Sequence, residues 1–386
     1  MHCVIGLVCV LALGVMPLVG CSDSEGAGAS AGDGGSGGAG GVGGTTTAEL
    51  EEFLDDYIDQ QVKIDDTGIA VALVRADGRV ELERTYGMAN IEESVRMSPD
   101  TVSYLASVAK QFTATAIMLL YEDGLVDPED LVTQTFPEVP PEWAVMTVHH
   151  LLTHQSGLAS YVPPDGATND DMLAHVIETP LSFPPGSEFE YSNPGYTLLA
   201  MLVERVTGEP FPDFVRERVF VPLGMSDTLV PTVSPPDVPN LARGYLLGEP
   251  QAYPSLLYGQ GGQYSTLTDM VRWELGLRSA TILSRDTLAL MFTPHVEIPE
   301  DRQVAPHYDD CDYGYGWFIC DSKVGSLQHH GGRGYGFRTA VDRHPSEGLT
   351  TIMLSNGSYE WTYEIGASLM EFYLDDGDIG AFEVEP

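Results

Sequence analysis

Segments that favour β-strands lie near both ends of this chain, and segments that favour helices lie between them. Near the start, two β-rich runs flank Asp77-Gly78 in "GIAVALVRADGRVELERTYG", which predicts a hairpin. Far downstream, successive strands separated by Gly and Pro are predicted for "YGYGWFIC", "GSLQHHGG", "FRTAVDRHP" and "LTTIMLSNG". The simplest architecture joins these distant strands in one antiparallel sheet made by the two ends of the chain, which is an α/β (α+β) fold.

Helical patterns surround and interrupt the predicted sheet. Apolar residues recur at helical spacing from Ala48 to Ile64, and a last helix is expected around Trp361 to Leu374. Mainly helical patterns and Pro-rich loops occupy the middle of the chain. With 386 residues, of which 43% are hydrophobic, the chain can bury a large core. We therefore expect terminal helices that flank the sheet and a mostly helical subdomain inserted in the middle.

The first segment of the chain, residues 1–20, is predicted to be an export signal. Its apolar run from Val4 to Val19 has about the length of a secretory signal sequence and is short for a membrane span. The run ends in "LVGC", which resembles the lipobox of bacterial lipoproteins, whose cysteine, here Cys21, carries the lipid. An ordinary signal peptide followed by a fortuitous cysteine is the alternative. The resemblance implies an exported protein that touches the bacterial cell envelope by its lipid anchor only.

A stretch rich in Gly, Ser and Ala follows at residues 21–47. This composition cannot form an apolar core and is typical of a flexible tether. We therefore expect the folded domain to cover residues 48–386.

The large negative charge limits the partners of the protein. Its 57 acidic and 18 basic residues give a formal net charge of −39, which repels the phosphates of nucleic acids and anionic lipid headgroups. We therefore expect no nucleic-acid partner.

Two cysteines, Cys311 and Cys320, lie in the predicted domain. An exported protein meets an oxidising environment, in which they can pair. A straight strand would hold their Cα atoms about 30 Å apart, so pairing requires the chain to reverse around Gly314 or Gly316. The sequence leaves a disulfide and two separate thiols as alternatives.

The first candidate motif is "SVAK", in which Ser107 precedes Lys110 by three residues at the head of an apolar run. Lysine is scarce here, because Lys63, Lys110 and Lys323 are the only ones in the chain. On a helix, residues three apart share a face, so this hydroxyl and this amine can come within hydrogen-bond distance. A serine nucleophile needs a neighbouring base, and a desolvated lysine can serve as one. Alone, the pattern also fits an ordinary helix start.

Two further motifs carry groups suited to acyl transfer. In "EFEYSNPGYTLLAMLVERVTG", Asn193 is predicted to cap a helix, and Tyr191 is expected at its mouth, where a phenol can exchange protons with a substrate. In "LQHHGGRGYGF", a strand ends in His330, Gly331 and Gly332. The glycines let the backbone approach a ligand and offer N–H groups to an oxyanion. Each motif alone also fits a purely structural role.

In this order, the three motifs resemble the serine β-lactamase and penicillin-binding protein superfamily, whose signatures are S-x-x-K, [YS]-x-N and [KH]-[TSG]-G. The branch most similar is that of class C β-lactamases, DD-peptidases and esterases. Further likenesses are "HHLLTHQSGL", "GQGGQYSTLTDMVRW" and "YGYGW", so that the resemblance covers about residues 48 to 375. It implies a hydrolase that needs no cofactor. Such an enzyme works through an acyl-enzyme on the ester, amide or β-lactam carbonyl of a small-molecule or peptide substrate.

The resemblance also implies a role for each motif residue. Ser107 is the acylated nucleophile, and Lys110 and Tyr191 are the acid/base pair, with the identity of the proton acceptor left open. Asn193 orients Lys110 and the substrate. The N–H groups of Ser107 and Arg333 form the oxyanion hole.

His330 stands where class C enzymes have a lysine that helps to hold the substrate carboxylate. A histidine near neutrality is largely uncharged, so we expect neutral esters to react faster than penicillins.

Two other classes of function compete with this interpretation. A zinc hydrolase is suggested by the spacing of His150 and His154, but Leu151 stands where the glutamate base belongs, and we expect no metal. A non-catalytic relative that only binds or senses a penicillin-like ligand is the other class.

Overall fold

The structure is a computed structural model that describes residues 46–60, 66–162, 164, 166–302, 311–322, 325–358 and 364–374. The predicted signal, Cys21 and nearly all of the predicted tether lie outside these residues. In the described part, no helix has both the length and the apolar character needed to cross a membrane.

An eight-stranded antiparallel sheet joins the two ends of the described chain. The strands, in chain order, are β1 (Ile69–Arg75), β2 (Val80–Tyr86), β3 (Met88–Asn90), β4 (Val95–Arg96), β5 (Ser103–Tyr104), β6 (Tyr245–Leu246), β7 (Glu249–Pro250), β8 (Tyr264–Ser265), β9 (Val296–Glu297), β10 (Cys311–Tyr313), β11 (Phe318–Ser322), β12 (Gly325–Gly334), β13 (Phe337–His344) and β14 (Leu349–Ser355). The large sheet has the order β2-β1-β14-β13-β12-β11-β10-β9. Its first and last strands in sequence are neighbours, with Ile69 opposite Ser355, which confirms the predicted sheet.

The helices of the described chain frame this sheet and fill the middle of the sequence. They are α1 (Thr47–Asp59), α2 (Lys110–Glu122), α3 (Val132–Thr135), α4 (Val148–Leu152), α5 (Asn169–Glu178), α6 (Asn193–Thr207), α7 (Phe211–Val215), α8 (Val221–Leu223), α9 (Leu267–Ser279), α10 (Arg285–Met291) and α11 (Glu364–Leu374). Short 3-10 turns occupy Ala106–Ala109, Pro141–Trp143 and Glu300–Arg302, and a π turn occupies Arg216–Phe220. Apart from α1 and α11, these helices and turns all lie between the end of β2 and Arg302 in the sequence. This arrangement agrees with the predicted helical subdomain inserted in the middle of the chain.

The terminal helices α1 and α11 cover one face of the sheet. Leu50 and Leu54 of α1 share an apolar cluster with Leu369 of α11 and with Val71 of β1. Helix α1 ends at Asp59 in the described part of the chain, and the predicted helix end at Ile64 lies outside the described residues. The helices therefore flank the sheet as the apolar spacing predicted.

A larger apolar cluster lies on the other face and runs into the helical subdomain. Helix α2 is its central member, and its residues from Lys110 to Leu120 are all buried. A helix that is buried on every side positions its first residue firmly. The candidate site lies at the start of α2.

The chain reverses between β10 and β11, and the structure joins Cys311 and Cys320 in a disulfide. The reversal uses Gly316, whose φ of +80° favours glycine, and Gly314, where an added Cβ would lie 2.5 Å from the Met291 carbonyl oxygen. Of the two alternatives left open by the sequence, the structure therefore has the disulfide.

Candidate active site

Ser107 and Lys110 lie at the junction between a 3-10 turn and helix α2. The turn, Ala106–Ala109, runs directly into α2 and keeps residues three apart on one face. Lys110 Nζ lies 3.2 Å from Ser107 Oγ. Ser107 is half-buried, whereas Lys110 is fully buried. The structure thus brings the two side chains together as the motif predicted.

Two other oxygen atoms surround the Lys110 amine. Its Nζ donates to Asn193 Oδ1 at 2.8 Å and to the Gln260 carbonyl oxygen at 2.8 Å. Burial lowers the pKa of Lys110 well below its usual value. A neutral amine has two N–H groups and one lone pair, so it can satisfy both carbonyl groups and still accept the Ser107 proton. The geometry therefore suits Lys110 as a proton acceptor.

Helix α6 begins one residue earlier than the sequence predicted. Ser192, not Asn193, is the N-cap, because its Oγ accepts the Gly195 N–H at 3.3 Å. Asn193 is instead the first helical residue, and Pro194 is the second. This shift leaves the Asn193 side chain available for Lys110 rather than for capping.

Tyr191 lies next to the Lys110 amine, just before α6. Lys110 Nζ is 4.8 Å from the centroid of the Tyr191 ring. The ring is stacked on Phe318 of β11 at 6.2 Å and packs against His154 at 4.3 Å. These contacts bring the residues of the first two motifs together around one amine.

The third motif lies on strand β12, where that strand forms an edge of the sheet. Strand β12 pairs with β13 as far as Gly334, but its pairing with β11 stops at His329. The 3-10 turn that carries Ser107 packs here, and an added Cβ at Gly332 would lie 2.3 Å from the Leu105 carbonyl oxygen. Glycine therefore permits the close approach of the strand to the nucleophile, as the sequence indicated.

His330 is buried and uses both ring nitrogens. Its Nδ1 lies 2.8 Å from the Gly331 carbonyl oxygen, so Nδ1 must donate, and Nε2 then accepts from the Tyr313 hydroxyl at 3.2 Å. Burial lowers the pKa of His330 well below its usual value. His330 is therefore a neutral side chain directed at Tyr313.

A cleft of about 150 Å³ opens over Ser107. Its lining residues are Tyr104, Ala106, Ser107, Tyr161, Asn193, Ser255, Leu257, Gln260, Gly261, Arg333, Gly334 and Tyr335. Of these described residues, Arg333 alone has a charged side chain. The structure thus places Arg333 at the same cleft as Ser107, whereas His330, predicted to bind substrate, is not among the lining residues.

The carbonyl group of Gln260 is a site component that the sequence did not reveal. It is flanked by Gly259 and Gly262, with φ of +91° and +72°. An added Cβ at Gly259 would lie 2.4 Å from the Tyr196 carbonyl oxygen, so this turn needs glycine. The glycines of "GQGGQYST" were the available signal, because they indicate a backbone turn that packs closely against a neighbouring segment.

The histidine spacing that suggested zinc is not realised on one helix. Helix α4 ends at Leu152, and His154 lies beyond it with a φ of +60°. His150 Nδ1 accepts the Thr147 N–H at 3.2 Å, and His154 Nδ1 accepts the Ser192 N–H at 3.0 Å. Each histidine therefore accepts a backbone N–H, and within the described ranges no group of three or more potential ligands is suited to a metal ion.

A family model described as Beta-lactamase matches residues 54–371. The chain belongs to the Beta-lactamase family. Members of this family are serine hydrolases of esterase, peptidase and penicillin-binding types. The family assignment confirms the fold and the general class of chemistry that the three motifs suggested.

Individual relatives are between 26% and 30% identical to this chain over the aligned residues. Penicillin-binding protein 4* of Bacillus subtilis is 29% identical over 76% of this chain and 69% of its own length. Esterase EstB of Burkholderia gladioli is 30% identical over 81% of this chain and 92% of its own length. Among solved structures, D-amino acid amidase from Ochrobactrum anthropi has a TM-score of 0.74 at 26% identity, covering 85% of this chain and 97% of that one.

Proposed function

We propose that this protein hydrolyses small esters and amides through an acyl-enzyme at Ser107. The observation that carries this proposal is the position of Lys110 Nζ, 3.2 Å from Ser107 Oγ and bonded to two carbonyl groups. A buried amine whose N–H groups are both engaged has its lone pair left for the serine proton. Lys110 is thus the favoured base of the two candidates.

In the first half of the reaction, Ser107 Oγ attacks the substrate carbonyl carbon while its proton moves to Lys110 Nζ. The resulting oxyanion accepts from the main-chain N–H groups of Ser107 and Arg333. The tetrahedral intermediate collapses when the bond to the leaving group breaks, and the leaving group takes a proton from Tyr191. Tyr191 recovers a proton from Lys110, so that the charges balance at the acyl-enzyme.

In the second half, water attacks the Ser107 ester. The same residues catalyse the steps of the first half in reverse order. One proton of the water passes to the Tyr191 and Lys110 pair, and Ser107 leaves as the alcohol. The net reaction consumes one water and releases an acid together with an alcohol or an amine. No cofactor takes part in this sequence.

Small neutral acyl groups fit this site best. His330 is neutral and bonded to Tyr313, so it offers no cation to a substrate carboxylate. Arg333 is exposed at the cleft, where solvent screens its charge. Relatives named as an esterase and as a D-amino acid amidase support esters and amides as substrates.

A panel of p-nitrophenyl acetate, a D-Ala-D-Ala peptide and a penicillin tests the proposal. We expect hydrolysis of the ester to be fastest, and loss of all activity in Ser107→Ala. The matched control is Ser279→Ala, which removes an exposed hydroxyl at the end of α9 and keeps wild-type rates. If a penicillin is hydrolysed much faster than the ester, the proposed substrate class is wrong.

We also propose that the protein is exported and held at the cell envelope by lipid on Cys21. The support is the "LVGC" sequence after an apolar run and before a Gly- and Ser-rich stretch. A tether of this kind lets the domain reach substrates at some distance from the membrane surface.

A further inference from the structure

His154 contacts the chain on both sides of Tyr191. Its carbonyl oxygen accepts the Glu190 N–H at 3.0 Å, and its Nδ1 accepts the Ser192 N–H at 3.0 Å. The donors of these two hydrogen bonds are the residues directly before and after Tyr191. His154 therefore fixes the backbone on both sides of Tyr191. Asn193 follows directly and bonds to Lys110.

The imidazole of His154 also supports the Tyr191 ring. The two ring centroids are 4.3 Å apart, and the rings of Tyr313 and Tyr196 lie at 4.6 Å and 5.0 Å from that of His154. The His154 side chain is fully buried. It therefore fills the space behind Tyr191 and limits the rotation of that ring.

His154 is held in a conformation that few residues adopt. Its φ is +60°, in the left-handed region that is uncommon for residues other than glycine. This conformation follows the end of α4 and turns both the carbonyl group and the ring toward the segment before α6. Backbone strain of this kind is retained when the surrounding contacts require it.

The contacts of His154 favour a role as a hydrogen-bond acceptor over proton transfer to the substrate. Nδ1 must be unprotonated to accept the Ser192 N–H, so Nε2 carries the proton. Nε2 is buried and has no hydrogen-bond partner among the described residues. Burial lowers the pKa of His154 well below its usual value, so the ring stays neutral. A neutral, enclosed imidazole acts here as a hydrogen-bond acceptor.

We propose that His154 is a positioning residue, which sets the place of the Tyr191 phenol relative to Lys110 and Ser107. His154 has this role in catalysis only if those three residues act as proposed above. A shift of about 1 Å in a reacting group is enough to cost about a hundredfold in rate, so the two backbone bonds and the ring contact have a catalytic consequence.

Two substitutions distinguish the contribution of the hydrogen-bond acceptor Nδ1 from that of the His154 ring. His154→Asn keeps an acceptor near the Nδ1 position and tolerates a positive φ, but it removes the ring. His154→Phe keeps a ring but leaves the Ser192 N–H without an acceptor. On p-nitrophenyl acetate, we expect kcat to fall about a hundredfold in His154→Phe and less than about tenfold in His154→Asn, with KM nearly unchanged in both. Should His154→Phe fail to fold, wild-type kcat in His154→Asn, which lacks the ring that packs against Tyr191, overturns the proposal.

A double-mutant cycle with Tyr191→Phe tests whether His154 acts through Tyr191. In that background, we expect His154→Phe to cost less than about threefold more, because the phenol that it positions is already absent. If the decrease in kcat of the double variant equals the product of the decreases in the two single variants, His154 acts on something other than Tyr191 and the proposal is wrong.

A crystal structure of His154→Phe gives a readout that does not depend on activity. We expect the backbone from Glu190 to Ser192 to move by about 1 Å, since one of its two bonds is lost. An unmoved segment overturns the positioning role even if the enzyme is impaired. If instead wild-type protein shows no hydrolysis while the segment moves, the proposed function has failed and the structural role of His154 stands.

Discussion

Lys110 Nζ lies 2.8 Å from Asn193 Oδ1, although 83 residues separate the two in the sequence. The contact joins the first turn of α2 to the first turn of α6. Because both helices are buried along most of their length, the distance between the two side chains is set by the core. The base therefore has a fixed place before any substrate arrives.

Replacement of Lys110 tests its role as the base. We expect Lys110→Ala to lower the acylation rate at least about a hundredfold, because the serine proton loses its acceptor. Lys110→Arg is expected to do little better, since an arginine stays protonated. Stopped-flow kinetics with p-nitrophenyl acetate measures the effect, and thermal unfolding checks the fold. Near-normal acylation in either variant would move the role of base to Tyr191.

A negative charge beside Lys110 is expected to change the pH dependence of the enzyme. Activity requires the neutral amine, so kcat/KM falls as the pH drops below the pKa of Lys110. Burial keeps that pKa low in the wild type. Asn193→Asp places a carboxylate 2.8 Å from the amine, raises its pKa and moves the acidic limb of the profile to higher pH. The neutral control Asn193→Ala adds no charge and is expected to leave the limb near its wild-type position; a common shift in both variants refutes the assignment.

Arg333 is expected to affect substrates that carry a carboxylate. We predict that Arg333→Gln raises KM for a carboxylate-bearing p-nitrophenyl ester about threefold to fivefold, as for an exposed ion pair, and changes KM for p-nitrophenyl acetate less than twofold. The matched control is Arg216→Gln, an exposed arginine beside α7. The difference between the substrates should shrink at high salt. Equal effects on both esters would remove Arg333 from carboxylate recognition.

The lipid anchor is tested by detergent phase partitioning of protein expressed in bacteria. We expect wild-type protein in the detergent phase and Cys21→Ser in the aqueous phase. Cys9→Ser is the matched control, because Cys9 lies in the segment that is predicted to be removed. Wild-type protein that partitions into the aqueous phase would contradict the anchor.

The sheet could be predicted because its strands carry local signals. Runs of β-rich residues around Asp77-Gly78 and from Phe337 to Ser355 are bounded by Gly and Pro, and each segment indicates its own structure. The proximity of Ser107 and Lys110 could be predicted for the same reason, because residues three apart on a helical turn share a face.

The rest of the site depends on long-range contacts that no spacing reveals. The N-cap of α6 was misplaced because Ser192 and Asn193 are both good caps, and only the contact with Lys110 decides between them. The Gln260 carbonyl group has no side-chain signal at all. His154 was noted for its spacing from another histidine, whereas its function follows from the fold that brings Tyr191 to it.

Intact-protein mass spectrometry after brief mixing with p-nitrophenyl acetate tests the central claim most directly. We predict an added acetyl mass on the wild-type protein that decays as the ester is hydrolysed, and no such mass on Ser107→Ala. Peptide mapping should place the acetyl group on the Ser107 side chain. An acetyl group that persists without turnover would indicate a binding or sensing relative, and ester hydrolysis that continues in Ser107→Ala would contradict the acyl-enzyme at this residue.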